Sequence, residues 1–185
     1  AHPYVSTSDT RVGILGLGEL GLACAQRLSD NGFPVCGWSR SEKQITGVET
    51  FSGEKGLQSL LNQSDILLCL LPLTPETNEL LNQHRLKQLP VGAAIINFAR
   101  GPIINTTDLL KQLDAGHLKH AVLDVFDQEP LPPKSPLWSH PGITVLPHIS
   151  APTSTKTASR IVAENIQRYR TNGLLPETVD ARRGY

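Results

Sequence analysis

Short, almost wholly apolar runs alternate with longer amphipathic stretches along most of this chain. Arg11-Val-Gly-Ile-Leu15 is the first such run, and glycines follow it. A helical stretch then extends from Glu19 to about Asn31, with Leu20, Ala23, Cys24 and Leu28 at helical spacing and Asn31-Gly32 as its stop. Pro34 to Trp38 reads as a second strand and Val48-Glu-Thr-Phe51 as a weaker third. Leu57, Leu60 and Leu61 mark a short helix before Asp65. Ile66 to Leu71 is nearly all apolar, the pattern of a strand covered on both faces. Thr74 is placed to cap a helix with Pro75 at its first position, where a missing N–H costs nothing. Ala93 to Phe98 is another buried strand, and Asn105-Thr-Thr-Asp108 opens a helix that ends at Gly116. His120 to Val125 and Ile143 to Leu146 are the last strands. A long amphipathic helix runs from about Ser154 to Arg170 and closes at Asn172-Gly173. Repeated β-α-β with buried strands predicts an α/β fold built on a doubly wound parallel sheet, followed by a C-terminal helix and tail.

Composition narrows the function classes. The chain has 185 residues, room for one sizeable domain and a tail. Lys plus Arg and Asp plus Glu both number 17, so no global field draws in nucleic acid or an anionic membrane surface. An anion must therefore be held by a local arrangement of donors. The longest apolar run, Ile66 to Leu73, is far short of the ~18–20 residues of a membrane span. No charged-then-apolar signal pattern precedes the first strand. Cys24, Cys36 and Cys69 lie in apolar stretches without CxxC spacing, which fits a reducing cytoplasm and argues against disulfides or a metal site. The sequence contains no Met and does not begin with one, so it is expected to be a piece of a longer product.

Gly16-Leu-Gly18-Glu19-Leu20-Gly21 is G-x-G-x-x-G between the first strand and the first helix. In that setting the first glycine permits a tight turn, the second lets backbone approach a pyrophosphate, and the third packs helix on strand. The helix N-terminus then offers N–H groups and a favourable dipole to the phosphates. The bland alternative, glycines serving an ordinary turn, is disfavoured by the strand-loop-helix-strand order. The second strand ends in Trp38-Ser39-Arg40, with Lys43 close behind, where NAD-preferring sites carry an acidic residue. A hydroxyl and two cations suit a 2′-phosphate, which a carboxylate would repel, so NADPH is the expected cofactor and NADH the second choice. A solvated basic loop is the other reading of these residues.

Three later segments place polar groups at strand ends: Asn97-Phe98-Ala99-Arg100-Gly101, Leu123-Asp124-Val-Phe126-Asp-Gln-Glu129-Pro130, and Pro147-His148-Ile-Ser150. Singly, Arg100 could be a surface charge, Glu129 a loop acid and His148 a satisfied histidine. Together they put a cation, an acid and an imidazole where doubly wound sheets hold ligands. With Leu71-Pro72-Leu-Thr74-Pro-Glu-Thr77, these segments resemble, from about Arg11 onward, the D-isomer-specific 2-hydroxyacid dehydrogenase family. Trp38-Ser39-Arg40, the Pro130 to Trp138 stretch and the ending Val179 to Tyr185 are similar to its bacterial glyoxylate/hydroxypyruvate reductase A branch.

The resemblance implies a division into an NAD(P)-binding domain, residues 1–150, and a C-terminal helix and tail, residues 151–185, that would pack back on a substrate domain. It implies reduction of glyoxylate and hydroxypyruvate to glycolate and D-glycerate by hydride from NADPH. Arg100 would hold the keto acid and polarise its carbonyl. His148 would deliver the proton, and Glu129 would orient the imidazole and favour its protonated form. Asp124 would lie near the nicotinamide carboxamide. Leu71, Pro72, Thr77, Phe98, Ala99 and Ser150 would belong to the cofactor cleft. His2, His84, His117, His120 and His140 match no landmark and are expected to be surface or structural residues. The family also implies a homodimer. It departs from this chain in carrying a substrate domain before the glycine loop, which here begins at Gly16; the piece alone is expected to bind cofactor with little turnover. Rival readings are a dehydrogenase of another keto acid, such as phosphohydroxypyruvate, a non-catalytic dinucleotide sensor of the same fold, and an S-adenosylmethionine-dependent methyltransferase.

Overall fold

Alternating apolar runs become parallel strands because most crossovers between them are long enough to hold a helix. The computed structural model describes residues 6–176 and Thr178. Among these, seven strands form one sheet: β1 Val12–Leu15, β2 Val35–Ser39, β3 Glu49–Ser52, β4 Ile66–Cys69, β5 Ala93–Asn97, β6 Leu118–Leu123 and β7 Ile143–Val145. Their order is β3-β2-β1-β4-β5-β6-β7, and every pairing is parallel. The chain therefore winds outward from β1 in one direction and restarts at β4 in the other. The crevice between β1 and β4 is the switch point where such sheets bind ligands at the carboxyl ends of their strands.

Side-chain alternation divides the core between the two faces. Ile14, Leu17 and Leu68 pack with Val12, Ala25 and Val35 beneath α1, Glu19–Asp30. Leu15, Leu67, Cys69 and Ile95 point the other way and meet Leu57, Leu60 and Leu61 of α2, Gly53–Asn62. Leu109 and Leu113 of α4, Thr106–Asp114, extend that second cluster. α4 begins at Asn105, whose side chain accepts from the Asp108 N–H, the cap its sequence suggested.

The helix expected after Thr74 does not form. Its residues make a run of turns, and the helix between β4 and β5 is the single turn α3, Gln83–Leu86. The Thr74 hydroxyl does accept from the Thr77 N–H at 3.3 Å, as a cap would. The turn is arrested because the Thr77 hydroxyl donates back to the Pro72 carbonyl, Glu79 takes a left-handed φ of 49°, and Leu81 leaves to bridge Ile104. Local cap chemistry was right, and the tertiary bridge overrode it.

Contacts divide the chain into two compact units, Ala1–Pro147 and His148–Tyr185. The second contains α5, Thr155–Asn172, capped at its start by Ser154 and ended by Gly173 at a φ of 71°. α5 buries none of its residues, and Ile161, Val162, Ile166 and Tyr169 stay more than half exposed along it. The tail landmark Val179 to Tyr185 and His2 lie outside the described residues.

Candidate functional site

The glycine loop follows β1 directly. Gly16 takes a φ of 102°, which a side chain would oppose, and its N–H donates to the Trp38 carbonyl of β2 at 2.9 Å. Gly21 lies in the first turn of α1, so close to Gly16 that a Cβ built on it would come within 2.9 Å of the Gly16 carbonyl carbon and nearer still to its oxygen. Gly18 is the N-cap of α1, makes no side-chain cap, and has nothing within 4 Å of where a Cβ would stand. Glu19 and Leu20 begin the helix, both exposed, Leu20 at 61%. The loop thus packs tightly on its inner side and presents its middle glycine and the first turn of a 12-residue helix to an open approach. That is the shape a dinucleotide pyrophosphate requires.

One strand away, β2 ends with Ser39 and Arg40. Ser39 is buried and its hydroxyl donates to the Ser41 carbonyl at 2.7 Å, so toward a ligand it can only accept, unless that bond is exchanged. Arg40 is exposed and lies close enough to the loop after β4 to act on Glu76. The Glu76 carboxyl is held below the usual range by a hydrogen bond from the Thr74 hydroxyl and by its own backbone N–H, with the Arg40 charge adding to the pull. Lys43 does not point away into solvent: its ammonium donates to the Leu17 carbonyl at 2.6 Å. Leu71 is buried and Pro72 half-buried after β4; Thr77 is buried and its hydroxyl shapes this loop through Pro72.

On the other side of the switch point, β5 ends in Asn97, 1% exposed. Its amide accepts from the Ala99 N–H at 3.1 Å and donates to the Arg100 carbonyl at 3.1 Å, closing a tight turn. The turn leaves Phe98 partly exposed, buries Ala99 and projects Arg100 outward. The Arg100 guanidinium is steadied by an Nη1 bond to the Ala99 carbonyl at 2.6 Å. The next residue, Gly101, lies against the Phe126–Asp127 peptide so closely that a Cβ there would overlap its atoms. This contact joins the Arg100 turn to the loop after β6. In that loop the Phe126 N–H donates to Glu129 Oε1 at 2.9 Å, and Thr106 of α4 donates to Asp127 at 2.9 Å. Asp124 is buried at the end of β6, its N–H on the Asn97 carbonyl at 3.1 Å.

The turn that bears Arg100 and the loop that bears Glu129 are therefore in contact, two and three strands from the glycine loop along the same sheet edge. The roles of Asn97 and Thr106 as supports were not read from the sequence; an Asn between a buried strand and Arg-Gly was the available signal. His148 and Ser150 open the second unit, both exposed, and His148 holds a left-handed φ of 54° that is uncommon for a residue with a side chain. Of the remaining histidines, His84 meets Gln88, His120 meets Thr144, and His140 joins Asp114 and the Gly142 N–H. His117 Nε2 is buried without a partner among the described residues. No group of three or more potential metal ligands occurs among the described residues, nor any helix long and apolar enough to cross a membrane.

The family model described as D-isomer specific 2-hydroxyacid dehydrogenase, NAD binding domain, matches residues 1–150. Among solved structures, a D-isomer specific 2-hydroxyacid dehydrogenase from Xanthobacter autotrophicus Py2, in complex with NADPH and MES, is 45% identical with a TM-score of 0.94. The match covers 100% of this chain and 76% of that one. An NADPH-dependent glyoxylate/hydroxypyruvate reductase from Sinorhizobium meliloti, in complex with NADP and sulfate, is 37% identical with a TM-score of 0.96, over 100% of this chain and 60% of that one. A phosphoglycerate dehydrogenase from Lactobacillus plantarum is 30% identical with a TM-score of 0.78, over 95% of this chain and 58% of its own.

Proposed function

The chain belongs to the D-isomer specific 2-hydroxyacid dehydrogenase family, and from that membership we propose that it serves an NADPH-dependent reductase of glyoxylate and hydroxypyruvate. The single observation that carries the reading is the joined pair of loops after β5 and β6. Gly101 seated on the Phe126–Asp127 peptide holds Arg100 and Glu129 at the sheet edge that also bears the glycine loop. Likeness to the Sinorhizobium meliloti reductase supports the substrate class, and Arg40 without an acidic neighbour on β2 supports NADPH.

Gly16, Gly18 and the first turn of α1 would hold the pyrophosphate, Arg40 the 2′-phosphate, with Ser39 joining once its hydroxyl turns from the Ser41 carbonyl to donate, and Leu71, Pro72, Phe98 and Ala99 the cleft walls. When bound, the cofactor supplies a hydride equivalent. Arg100 binds the substrate carboxylate and draws electron density from the keto group. His148 gives a proton to the keto oxygen, so that carbonyl reduction yields the neutral hydroxyl of glycolate or D-glycerate. Glu129 is the carboxylate of the set. The family's assembly would be a homodimer, which light scattering on the eluting protein checks. The test of the activity is NADPH oxidation with glyoxylate, hydroxypyruvate and phosphohydroxypyruvate, using this chain and a protein of its relatives' full length that contains it. Turnover of the first two supports the reading. Preference for phosphohydroxypyruvate would favour the phosphoglycerate dehydrogenase likeness instead, and binding without turnover in the longer protein would favour a dinucleotide sensor.

A further inference from the structure

Lys43 stands where the sequence suggested a second cation for a 2′-phosphate, yet its ammonium is directed elsewhere. It donates to the carbonyl of Leu17, inside the glycine loop, at 2.6 Å. The residue is fixed at its other end too, because the Thr50 hydroxyl of β3 donates to the Lys43 carbonyl at 2.5 Å. Leu17 is likewise held on the core side. Its side chain is 1% exposed and packs against β2 where Gly37 has no Cβ; one built there would meet Leu17 at 2.5 Å.

The peptide between Leu17 and Gly18 is trans, since the only cis bond among the described residues is Glu129–Pro130. In a trans peptide the C=O and N–H point in opposite directions across one plane. A carbonyl drawn toward Lys43 therefore turns the Gly18 N–H away from Lys43. The Gly18 N–H donates no hydrogen bond among the described residues, and the space at its Cβ position is open. This plane turns about Leu17 ψ and Gly18 φ, and glycine at 18 widens the range of the second. Leu17 is anchored by its side chain and the Gly18 carbonyl accepts from the Leu22 N–H at 2.9 Å; the Lys43 bond is made to the plane itself.

We propose that Lys43 is a positioning residue of the phosphate-binding loop, its bond to the Leu17 carbonyl setting the 17–18 peptide plane and so the direction of the Gly18 N–H. The inference builds on the reading of this loop as a dinucleotide site, but differs from it in what it requires of Lys43. A 2′-phosphate ligand discriminates NADPH from NADH, whereas a loop-setting residue serves both equally, because both carry the same pyrophosphate.

The test is calorimetric or fluorescence titration of NADPH and NADH into wild type, Lys43→Met, Lys43→Arg and Arg40→Ala. It is accompanied by the amide resonance of Gly18 in each protein without cofactor. Losing a charged hydrogen bond predicts that Lys43→Met weakens both cofactors by a similar factor, about ten-fold or more, and leaves their ratio unchanged. Lys43→Arg, which keeps a cationic donor, restores most of the loss. The Gly18 amide resonance moves in Lys43→Met and not in Arg40→Ala, while the thermal midpoints of all variants stay near wild type. A loss confined to NADPH in Lys43→Met would overturn the inference and return Lys43 to the 2′-phosphate. An unmoved Gly18 resonance would overturn it as well. A wild type that prefers NADH would instead sink the NADPH reading, with the equal-loss criterion for Lys43 still judged on NADH. If wild type bound neither cofactor, the dinucleotide reading would fail while the Gly18 resonance still decided whether Lys43 sets the plane.

Discussion

Gly18 and Gly21 sit three residues apart in one loop, yet alanine should act on them in opposite ways. At Gly21 the new methyl would approach the Gly16 carbonyl carbon at 2.9 Å and its oxygen more closely, and both atoms are backbone. Relief requires α1 to back away from the end of β1, and overpacking of that kind costs about 1–3 kcal/mol, here toward the upper end because no rotamer can yield. Alanine gains about 1 kcal/mol over glycine inside a helix, which offsets part of this. The net loss is about 2 kcal/mol, or a midpoint lowered by about 4–8 °C for a chain of this size. At Gly18 the methyl meets nothing within 4 Å, and its φ of −78° suits alanine. The fold then loses only the modest N-cap preference for glycine over alanine, under about 1 kcal/mol. Cofactor affinity should fall about ten- to a hundred-fold, because the methyl occupies the approach to the loop's N–H groups and displaces charge-assisted bonds. Differential scanning fluorimetry and cofactor titration on the two variants give the comparison. A Gly21→Ala protein as stable as wild type would refute the close packing of helix on loop. A Gly18→Ala protein that binds NADPH normally would refute Gly18 as the phosphate approach.

Arg40→Ala should weaken NADPH about ten- to a hundred-fold with little change for NADH; Glu76→Gln, relieving Arg40 of a carboxylate, should shift NADPH slightly the other way, both read by titration. Gly101→Ala, overlapping the Phe126–Asp127 peptide, should lower the thermal midpoint by several degrees, about 2–4 °C per kcal/mol, and reduce turnover more than cofactor affinity, since it separates the Arg100 and Glu129 loops. In the active protein, Glu129→Gln should lower keto-acid turnover while cofactor affinity stays near wild type; unchanged turnover would count against Glu129 as a catalytic group. Burial pushes the Cys69 thiol up to about 12 and that of Cys36 to about 11, so native protein should be alkylated at Cys24 before either. Because those folded-state values lie above the ~8.5 of an unfolded thiol, their contribution to stability is full below that pH and declines as pH rises toward 11–12, which urea midpoints against pH will show.

The inner strands were legible because each is a run buried on two faces, and such runs are rare outside parallel sheets; the edge strands β3 and β7 bury no residue and gave a weaker pattern. The glycine loop was legible because steric limits dictate residue identity there: no other side chain fits between Gly16 and Gly21. The turn after Thr74 was not, because its local cap chemistry is helical and what stops it is a bridge to Ile104, remote in sequence. The Lys43 bond was not legible either: sequence shows a cation near a strand end, and the Leu17 carbonyl that its ammonium meets lies 26 residues away. Asn97 was quoted as part of a landmark but not understood, since an amide that bridges the N–H and C=O of its own turn leaves no pattern.

A net charge of zero poses a problem for the proposed function, holding a polyanionic dinucleotide and an anionic keto acid, and on that proposal the sheet edge answers it by fixing few cations rather than gathering many. Lys43 is bonded to the Leu17 carbonyl, Arg100 to the Ala99 carbonyl, and Arg40 acts on Glu76. Each cation is thus partly neutralised and oriented before any ligand arrives. This lowers the charge repulsion among them and the side-chain entropy lost on binding, which for long cationic chains is about 0.5–1.5 kcal/mol each. It also leaves binding capacity, because a guanidinium has five N–H donors and a bidentate carboxylate uses two. The single Nη1 bond from Arg100 to Ala99 therefore sets the plane of the fork without exhausting it. Replacing Arg100 with Lys tests this division directly. Lysine keeps the charge but lacks the second arm, so it cannot hold its own turn and present a bidentate face together. Cofactor affinity should be unchanged in Arg100→Lys, while turnover of the keto acid falls far more than long-range loss of one bond would explain. Wild-type turnover in that variant would mean that charge alone suffices and that the orientation imposed by the Asn97-closed turn has no catalytic purpose.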